Sequence, residues 1–367
     1  MTQTSQSGDD SFANWRAYHL FYHADRSLML RELINPLVSE LVRSGLIERF
    51  YFIRYGVGGP HVRLRWRAKD ETSAVLAETR LGEQAAQFLA RWPSSDSMPP
   101  EKIRLITRSL LRSGHPEAEL IFSDNSWHRA PLDFEFKRYG GTENFDYSLD
   151  MFCLSSIWTL QMLKEHEHAG PGWIRSAMLR MAVSLAWGLA KDEDDLMGLA
   201  DYCRHFFDER VAAAVKYGDE VFARQTAQII ELLGAVLENL TDQEEISDLT
   251  ALAAGAGALS GRLAELSPEA HRYLAISHIH MTANRLGLTN PEEVYLSRML
   301  WRGIQKIRFE SPQVWRRLWD RRSDFIDHAQ VHSLAGLAET ELNFFAASRR
   351  LKNSGRVWNR ASPTKTT

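Results

Sequence analysis

Two strand-like segments separated by a glycine-rich loop are the feature that most constrains the fold of this chain. Ile47 to Arg54 and His61 to Arg67 combine aromatic and branched residues with arginines, and Gly56-Val57-Gly58-Gly59-Pro60 lies between them. Two β-type runs joined by a short loop that contains glycine predict an antiparallel hairpin. The chain must therefore contain some antiparallel sheet.

The pattern of the sequence changes after Tyr139. From Trp15 to Tyr139 strand-like and helix-like segments alternate, whereas from Glu143 to Arg350 nearly every segment has helical periodicity. We therefore predict an α+β fold, in which a small antiparallel sheet near the N-terminus packs on a large, mostly helical body. The predicted divisions are disordered tails at 1–12 and 351–367 and one domain at 13–350, with an α/β part at 13–141 and a helical part at 142–350.

Local signals place the individual elements. Trp15 to Tyr22 is short and aromatic and predicts a strand, and Asp25 predicts the N-cap of a helix to Ser44 that Pro36 kinks. The predicted helices of the second part lie near 143–166, 171–190, 194–212, 217–240, 242–265, 269–286, 291–304 and 311–350, the last of them broken near Arg322.

Composition excludes several classes of protein. Of the 367 residues, 44% are hydrophobic and 25% are charged, which is ordinary for a globular protein and not for a disordered or collagenous one. Because 44 Lys and Arg nearly balance 47 Asp and Glu, we do not expect direct nucleic-acid binding. No apolar run approaches the ~20 residues of a membrane helix, and the first residues do not resemble a signal peptide. We expect a cytoplasmic protein without a membrane segment.

The cysteines and the acidic residues do not predict a metal site. Cys153 and Cys203 fall in apolar helical segments and not in a metal-ligand spacing such as CxxC, so we expect two buried free thiols. Asp192-Glu193-Asp194-Asp195 could be imagined as a metal cluster. An acidic helix start, which the helix dipole favours, explains this run more simply.

Basic and aromatic residues are interleaved between Trp301 and Arg322. Such a stretch could bind an RNA backbone or an acidic leader peptide. Trp315 and Trp319 lie one helical turn apart, however, so we favour a buried tryptophan stripe with a solvated basic face.

The second strand of the hairpin has a row of cationic side chains. Because alternate residues of a strand share a face, His61, Arg63 and Arg65 point one way and the apolar residues between them point the other. Arg54 and Tyr55, just before the loop, are candidates for the same face. Guanidinium groups in such a row suit recognition of carboxylate or phosphate. A solvated outer face of an edge strand remains the alternative.

Two further segments hold candidate functional residues. Phe136 to Gly141 places Arg138 beside a glycine pair, where a backbone can approach a ligand closely. Ser277 to Leu286 has helical character, so His280 and Asn284 lie one turn apart on one face. An ordinary loop and a structural helical histidine are the alternatives.

Together these segments resemble the C-terminal, glutamate-eliminating domain of lantibiotic dehydratases, which stands alone in thiopeptide-type bacteriocin biosynthesis. The family's hairpin signature resembles Phe52-Ile53-Arg54-Tyr55 followed by His61-Val62-Arg63-Leu64-Arg65. Its two later motifs resemble Arg138-Tyr139-Gly140-Gly141 and His280-Met281 with Asn284-Arg285-Leu286. The motifs occur in the family's order, and with the opening Trp15 segment the resemblance spans about 15–305.

The resemblance implies an enzyme that eliminates glutamate from glutamylated Ser or Thr in a precursor peptide, without a metal or an organic cofactor. Histidine suits proton transfer near neutral pH, and fixed arginines suit the developing and departing negative charge. The implied partners are the precursor peptide and a separate glutamyl-tRNA-dependent glutamylating subunit; a homodimer is left open. The implied catalytic residues are His280, Arg63, Arg65 and Arg138, and the implied substrate-binding residues are His61, Arg54, Tyr139, Asn284 and Arg285.

Departures from the family pattern leave other functions open. Phe152 to Ser156 lacks the acidic residue that relatives often have there, and the loop from Gly56 to Pro60 lacks another. One alternative is a thiopeptide pyridine synthase, which joins two dehydroalanines by a formal aza-[4+2] cycloaddition. Another is a non-catalytic subunit that binds precursor peptide along a sheet edge.

Overall fold

A four-stranded antiparallel sheet and a larger set of helices form the protein. The structure is a computed structural model and describes residues 12, 14–111, 120–169, 172–203, 211–241, 248–331 and 338–343. The sheet order is β2-β3-β1-β4, and each neighbouring pair is antiparallel. The predicted α+β class is confirmed. The strands are β1 Trp15–Phe21, β2 Ile47–Tyr55, β3 His61–Ala68 and β4 Ser126–Ala130.

Helices make up most of the remainder. No helix among the described residues is long and apolar enough to cross a membrane. Helix α1 has three consecutive segments, Arg26–Met29, a π-helical Leu30–Ile34 and Asn35–Arg43. The others are α2 Glu71–Arg91, α3 Pro100–Leu110, α4 Thr142–Glu165, α5 Gly172–Leu189, α6 Glu193–Ala200, α7 Ala212–Thr241, α8 Asp248–Arg262, α9 Pro268–Leu286, α10 Asn290–Glu310 and α11 Pro312–Val331.

The helix starts follow the capping signals of the sequence, whereas one predicted break is wrong. Asp25 accepts a hydrogen bond from the Ser27 amide, and Pro36 lies in the first turn that follows the π-helical segment. Asp192 accepts from the Asp195 amide and begins α6, as the acidic-start interpretation predicts. Helix α11 passes through Arg322 without a break, because that side chain points inward and donates to carbonyls at the end of α5.

The glycines of the hairpin loop are required by close packing. Gly58 and Gly59 have φ values of 78° and 128°, which L side chains rarely adopt. A Cβ atom on Gly58 would lie 2.7 Å from the ring of Phe122, and one on Gly59 would lie 2.9 Å from His23. The loop therefore fits between neighbouring side chains.

The outer edge of β2 is covered by the helical body. The Phe52 amide donates to Ser156 Oγ of α4 at 3.2 Å. The side chain of Asn284 in α9 accepts from the Arg54 amide and donates to the Arg54 carbonyl, both at 2.9 Å. Side chains thus replace the next strand, and this edge is not open to a peptide strand.

The described residues form two hydrophobic cores, which meet where the edge of β2 contacts α4 and α9. One face of the sheet packs on α1 and α2, and its centre contains Val62, Leu64 and Trp66. The second core fills the helical body, where Trp315 and Trp319 of α11 pack against Trp187. The predicted tryptophan stripe is thus packed in the core, whereas the predicted solvated basic face is wrong at Arg322, which is buried and donates to main-chain carbonyls. Cys153 and Cys203 are buried free thiols, as predicted.

Candidate functional site

The face of the sheet opposite α1 and α2 has a row of polar side chains at its centre. Arg63 of β3 pairs with His19 of β1, and His19 pairs with His128 of β4. All three side chains are half-buried. Burial and the neighbouring cations lower the pKa of His19 to about 2, so its ring is neutral near pH 7. The aromatic character of β1 gave no sign that His19 belongs to this row.

His61 orients Arg63. Its ring is fully buried, with Nδ1 2.8 Å from the Gly59 carbonyl and Nε2 3.2 Å from Arg63 Nε. Both contacts are satisfied by one neutral tautomer, in which Nδ1–H donates and Nε2 accepts. Burial lowers the pKa of His61 to about 3, which favours that neutral form. The Arg63 guanidinium then lies 3.7 Å from the centre of the Tyr55 ring.

Arg65 has a corresponding partner on the neighbouring strand. Its Nη1 donates to the Tyr51 hydroxyl at 2.8 Å, and Tyr51 is buried. Burial raises the pKa of the Tyr51 phenol, so the hydroxyl stays protonated. Arg65 is thereby fixed on the same face of the sheet as Arg63.

Arg138 lies in the short 3₁₀ helix Phe136–Tyr139 that precedes the glycine pair. Gly140 has a φ of 86° and ends this turn. The Arg138 Nε donates to Ser277 Oγ of α9 at 3.3 Å, and Nη1 lies 3.6 Å from the Glu135 carboxylate. Tyr139 itself is buried, and its ring packs on Phe152.

His280 of α9 faces a carboxylate of α10 that the sequence analysis missed. Nδ1 of His280 lies 2.9 Å from Glu293 Oε2, and Tyr202 donates to Glu293 Oε1 at 2.6 Å. The His280 side chain is 19% exposed and the Glu293 side chain 2%. The signal that could have found Glu293 is an acidic residue at the start of the next helix, just after the Asn284-Arg285-Leu286 motif.

Three packed aromatic rings connect the arginines of β3 to the segment that contains Arg138. The Tyr51 ring is 5.2 Å from Phe152, and Phe152 is 4.8 Å from Tyr139. Tyr51 accepts a hydrogen bond from Arg65 at one end, and Arg138 directly precedes Tyr139 at the other. Ser277, which contacts Arg138, lies one helical turn before His280, an axial rise of about 4.5 Å. The structure thus connects the cationic face to the histidine.

Of the other motif residues, Arg54 and Arg285 lie in the protein interior, and Asn284 is half-buried beside them. Arg54 pairs with Val62, so its side chain is on the opposite face from Arg63, and only Tyr55 joins the cationic row. The Arg54 guanidinium donates to the Arg285 carbonyl and to Ser27 Oγ, and burial lowers its pKa to about 9. Asn284 binds the β2 edge, and the Arg285 side chain is 1% exposed.

The four predicted catalytic residues share one arrangement: each is half-buried and contacts a buried partner. Among the described residues, no group of three or more His, Cys, Asp and Glu side chains could hold a metal ion. Three of the four predicted residues are arginines and the fourth is a histidine, so their side chains can bind anions and move a proton. The pairs are Arg63 with His61, Arg65 with Tyr51, Arg138 with Ser277 and His280 with Glu293.

The sequence profile of the family described as lantibiotic biosynthesis dehydratase C-term matches residues 15–304, which include all of these pairs. This chain belongs to that family. It is therefore a modifying enzyme in the maturation of ribosomally made peptides. A comparison with curated proteins finds no match.

Solved structures share the fold. The pyridine synthase TbtD from thiomuracin biosynthesis is 15% identical with a TM-score of 0.66, over 80% of this chain and 98% of that chain. The tRNA dependent lantibiotic dehydratase MibB from Microbispora sp. 107891 is 18% identical with a TM-score of 0.53. That match covers 83% of this chain but only 28% of the dehydratase.

Proposed function

We propose that this enzyme removes glutamate from glutamylated Ser or Thr residues of a precursor peptide and leaves dehydroalanine or dehydrobutyrine. The observation that carries the proposal is the arrangement of four half-buried side chains, each with a buried partner. Groups that are fixed before the substrate arrives stabilise developing charge without having to reorganise.

The proposed elimination breaks two bonds of the glutamylated residue. A base takes the proton from Cα, the electron pair of the Cα–H bond forms the Cα=Cβ double bond, and the Cβ–O pair leaves on the glutamate carboxylate. We assign the proton to His280, whose ring is partly exposed. We assign the enolate-like oxygen and the departing carboxylate to Arg63, Arg65 and Arg138, which supply forked donors for such anions.

The remaining motif residues have supporting roles in this proposal. His61 and Tyr139 are buried against the arginines that act, whereas Arg54, Asn284 and Arg285 join β2 to α9. Their replacement would therefore change the geometry of the site or the stability of the fold. Direct contact with substrate is assigned to the half-buried residues.

The glutamyl ester must come from another reaction. We propose that a separate glutamyl-tRNA-dependent enzyme glutamylates the precursor peptide and that this chain then acts on it. The proposal requires no metal or organic cofactor, because proton removal and charge stabilisation are assigned to side chains.

A second candidate is the formal aza-[4+2] cycloaddition of two dehydroalanines. The match to the pyridine synthase TbtD covers 98% of that chain and so supports this alternative. We favour elimination because a histidine held by a buried carboxylate suits removal of a Cα proton.

Mass spectrometry of two synthetic peptides tests the proposal. One carries a Ser-O-glutamyl ester, and the other carries two dehydroalanines spaced for cyclisation. We expect purified protein to release glutamic acid from the first peptide, and both His280→Ala and Arg138→Ala to lose this reaction. His166→Ala, which changes a histidine stacked on Trp173, is the matched control and should keep it.

Two results would contradict the proposal. Loss of water and a leader fragment from the second peptide alone would identify the cycloaddition. Full turnover of the glutamylated peptide by His280→Ala and Arg138→Ala would show that elimination occurs elsewhere.

A further inference from the structure

Each of the three histidines of α9 has a side-chain partner, and one of the three differs from the others. His271 contacts Ser260 Oγ at 3.0 Å, and His278 contacts Ser148 Oγ at 3.2 Å. Both rings are almost completely buried and both partners are neutral hydroxyls. His280 alone of the three is half-buried and contacts a carboxylate.

The carboxylate of Glu293 is held from two sides. Its side chain is 2% exposed, and its Oε1 and Oε2 lie 3.1 and 2.9 Å from His280 Nδ1. On the far side Tyr202, which is fully buried, donates its hydroxyl hydrogen to Oε1 at 2.6 Å. Burial raises the pKa of Tyr202 well above its usual value, so this hydroxyl remains a donor.

The position of Glu293 in the chain favours its negative charge. It lies in the first turn of α10, where the helix dipole stabilises anions. A carboxylate that accepts from Tyr202 needs a second donor, and Nδ1–H of His280 supplies one. In that tautomer the other ring nitrogen, Nε2, carries the lone pair, which is the form of the atom that accepts a proton.

We propose that Glu293, supported by Tyr202, is a positioning residue that fixes His280 in the Nδ1–H tautomer, so that Nε2 is the atom that removes the substrate proton. Glu293 is too buried to touch substrate and acts through His280. This inference rests on the proposed function, because it assumes that His280 removes the proton. It adds the residue that decides which nitrogen does so.

Glu293→Gln is the most informative change because it keeps the size of the side chain. Tyr202 still donates to the amide oxygen, so the amide NH₂ group faces Nδ1 and donates to it. His280 is then forced into the tautomer with a proton on Nε2, which cannot accept another. We expect kcat for elimination to fall about 10- to 100-fold or more, while KM stays within about two-fold, as for other misplaced histidine tautomers.

Related variants separate positioning from folding. Glu293→Asp keeps the charge and should retain more activity than Glu293→Gln, and Tyr202→Phe should cost only a few-fold. Ser148→Ala removes the hydrogen-bond partner of His278, which lies on the same helix as His280, and should leave kcat unchanged. Nitrogen NMR of the His280 ring should show protonated Nδ1 in the unchanged protein and protonated Nε2 in Glu293→Gln.

The outcomes distinguish this inference from the proposed function. Wild-type kcat in Glu293→Gln together with an inactive His280→Ala would overturn the role of Glu293 and leave the function standing. An NMR signature of Nε2–H in the unchanged protein would also overturn it, whether or not the protein is active. Full activity of His280→Ala would instead contradict the function.

Discussion

Arg54 and Arg63 lie on neighbouring strands of the same hairpin, but their side chains are on opposite faces of the sheet and have different surroundings. The Arg54 guanidinium is buried on one side of the sheet and donates to the Arg285 carbonyl at the end of α9. The Arg63 guanidinium is half-buried on the other side, where His61 orients it above Tyr55. Arg54 therefore joins the sheet to a helix, whereas Arg63 is the arginine that we propose binds the substrate.

The largest expected effect concerns stability at the buried side. Arg54→Ala removes the donor of the α9 carbonyl and leaves a cavity, so we expect the free energy of unfolding to fall by about 3–5 kcal/mol. Urea unfolding followed by circular dichroism measures this change. Arg63→Ala is the matched control and should lose less than about 1 kcal/mol. Equal losses would remove the distinction between the two sides.

The next effect concerns turnover at the open side. Arg63→Ala should lower kcat/KM for the glutamylated peptide about 100- to 1000-fold, because a fixed donor to developing charge contributes about 3–4 kcal/mol. Arg63→Lys keeps the charge but not the fork and should recover only part of the loss. Activity that falls only in proportion to the folded fraction would show that Arg63 is structural.

The smallest effect, taken over one pH unit, is a pH dependence of stability that arises from buried histidines. Burial lowers the pKa of His61 and of His278 from 6.5 to about 3, so the unfolded chain binds protons below pH 6.5 that the folded protein does not. Stability is therefore complete above the unfolded value and falls as the pH decreases, by about 1.4 kcal/mol per pH unit for each histidine. Asp150 acts in the opposite direction, because burial raises its pKa to about 6.

Urea unfolding at several pH values between about 7 and 5 tests this dependence. His278→Asn should make the slope shallower, because one of the neutral buried rings is then absent. A stability that rises as the pH decreases through this range would contradict the assignment of neutral histidines.

Much of the fold was predictable from local patterns. The hairpin followed from two β-type runs and their glycine loop, and α9 begins one residue before the predicted 269–286 and ends where predicted. The predicted break at Arg322 was wrong because inward hydrogen bonding of an arginine to α5 cannot be seen in periodicity. The limits of prediction therefore lay in tertiary contacts.

The motifs of the site were predictable from the sequence, but the buried side chains that contact the motif residues were not. Arg54 and Tyr55 are adjacent in one strand, so alternation alone allowed only one of them on the cationic face. An acidic helix start marks Glu293 in the sequence, but spacing alone does not pair it with His280, because the turn between α9 and α10 decides which residues meet. The buried partners of the four predicted catalytic residues all depend on such long-range packing.

The most direct test of the central claim is single-turnover elimination from a peptide whose glutamylated Ser carries deuterium at Cα. We predict that the unchanged protein releases glutamate more slowly from the deuterated peptide than from the ordinary one, and that His280→Ala releases none from either. Glutamate release at equal rates from both peptides and by both proteins would contradict proton removal by His280.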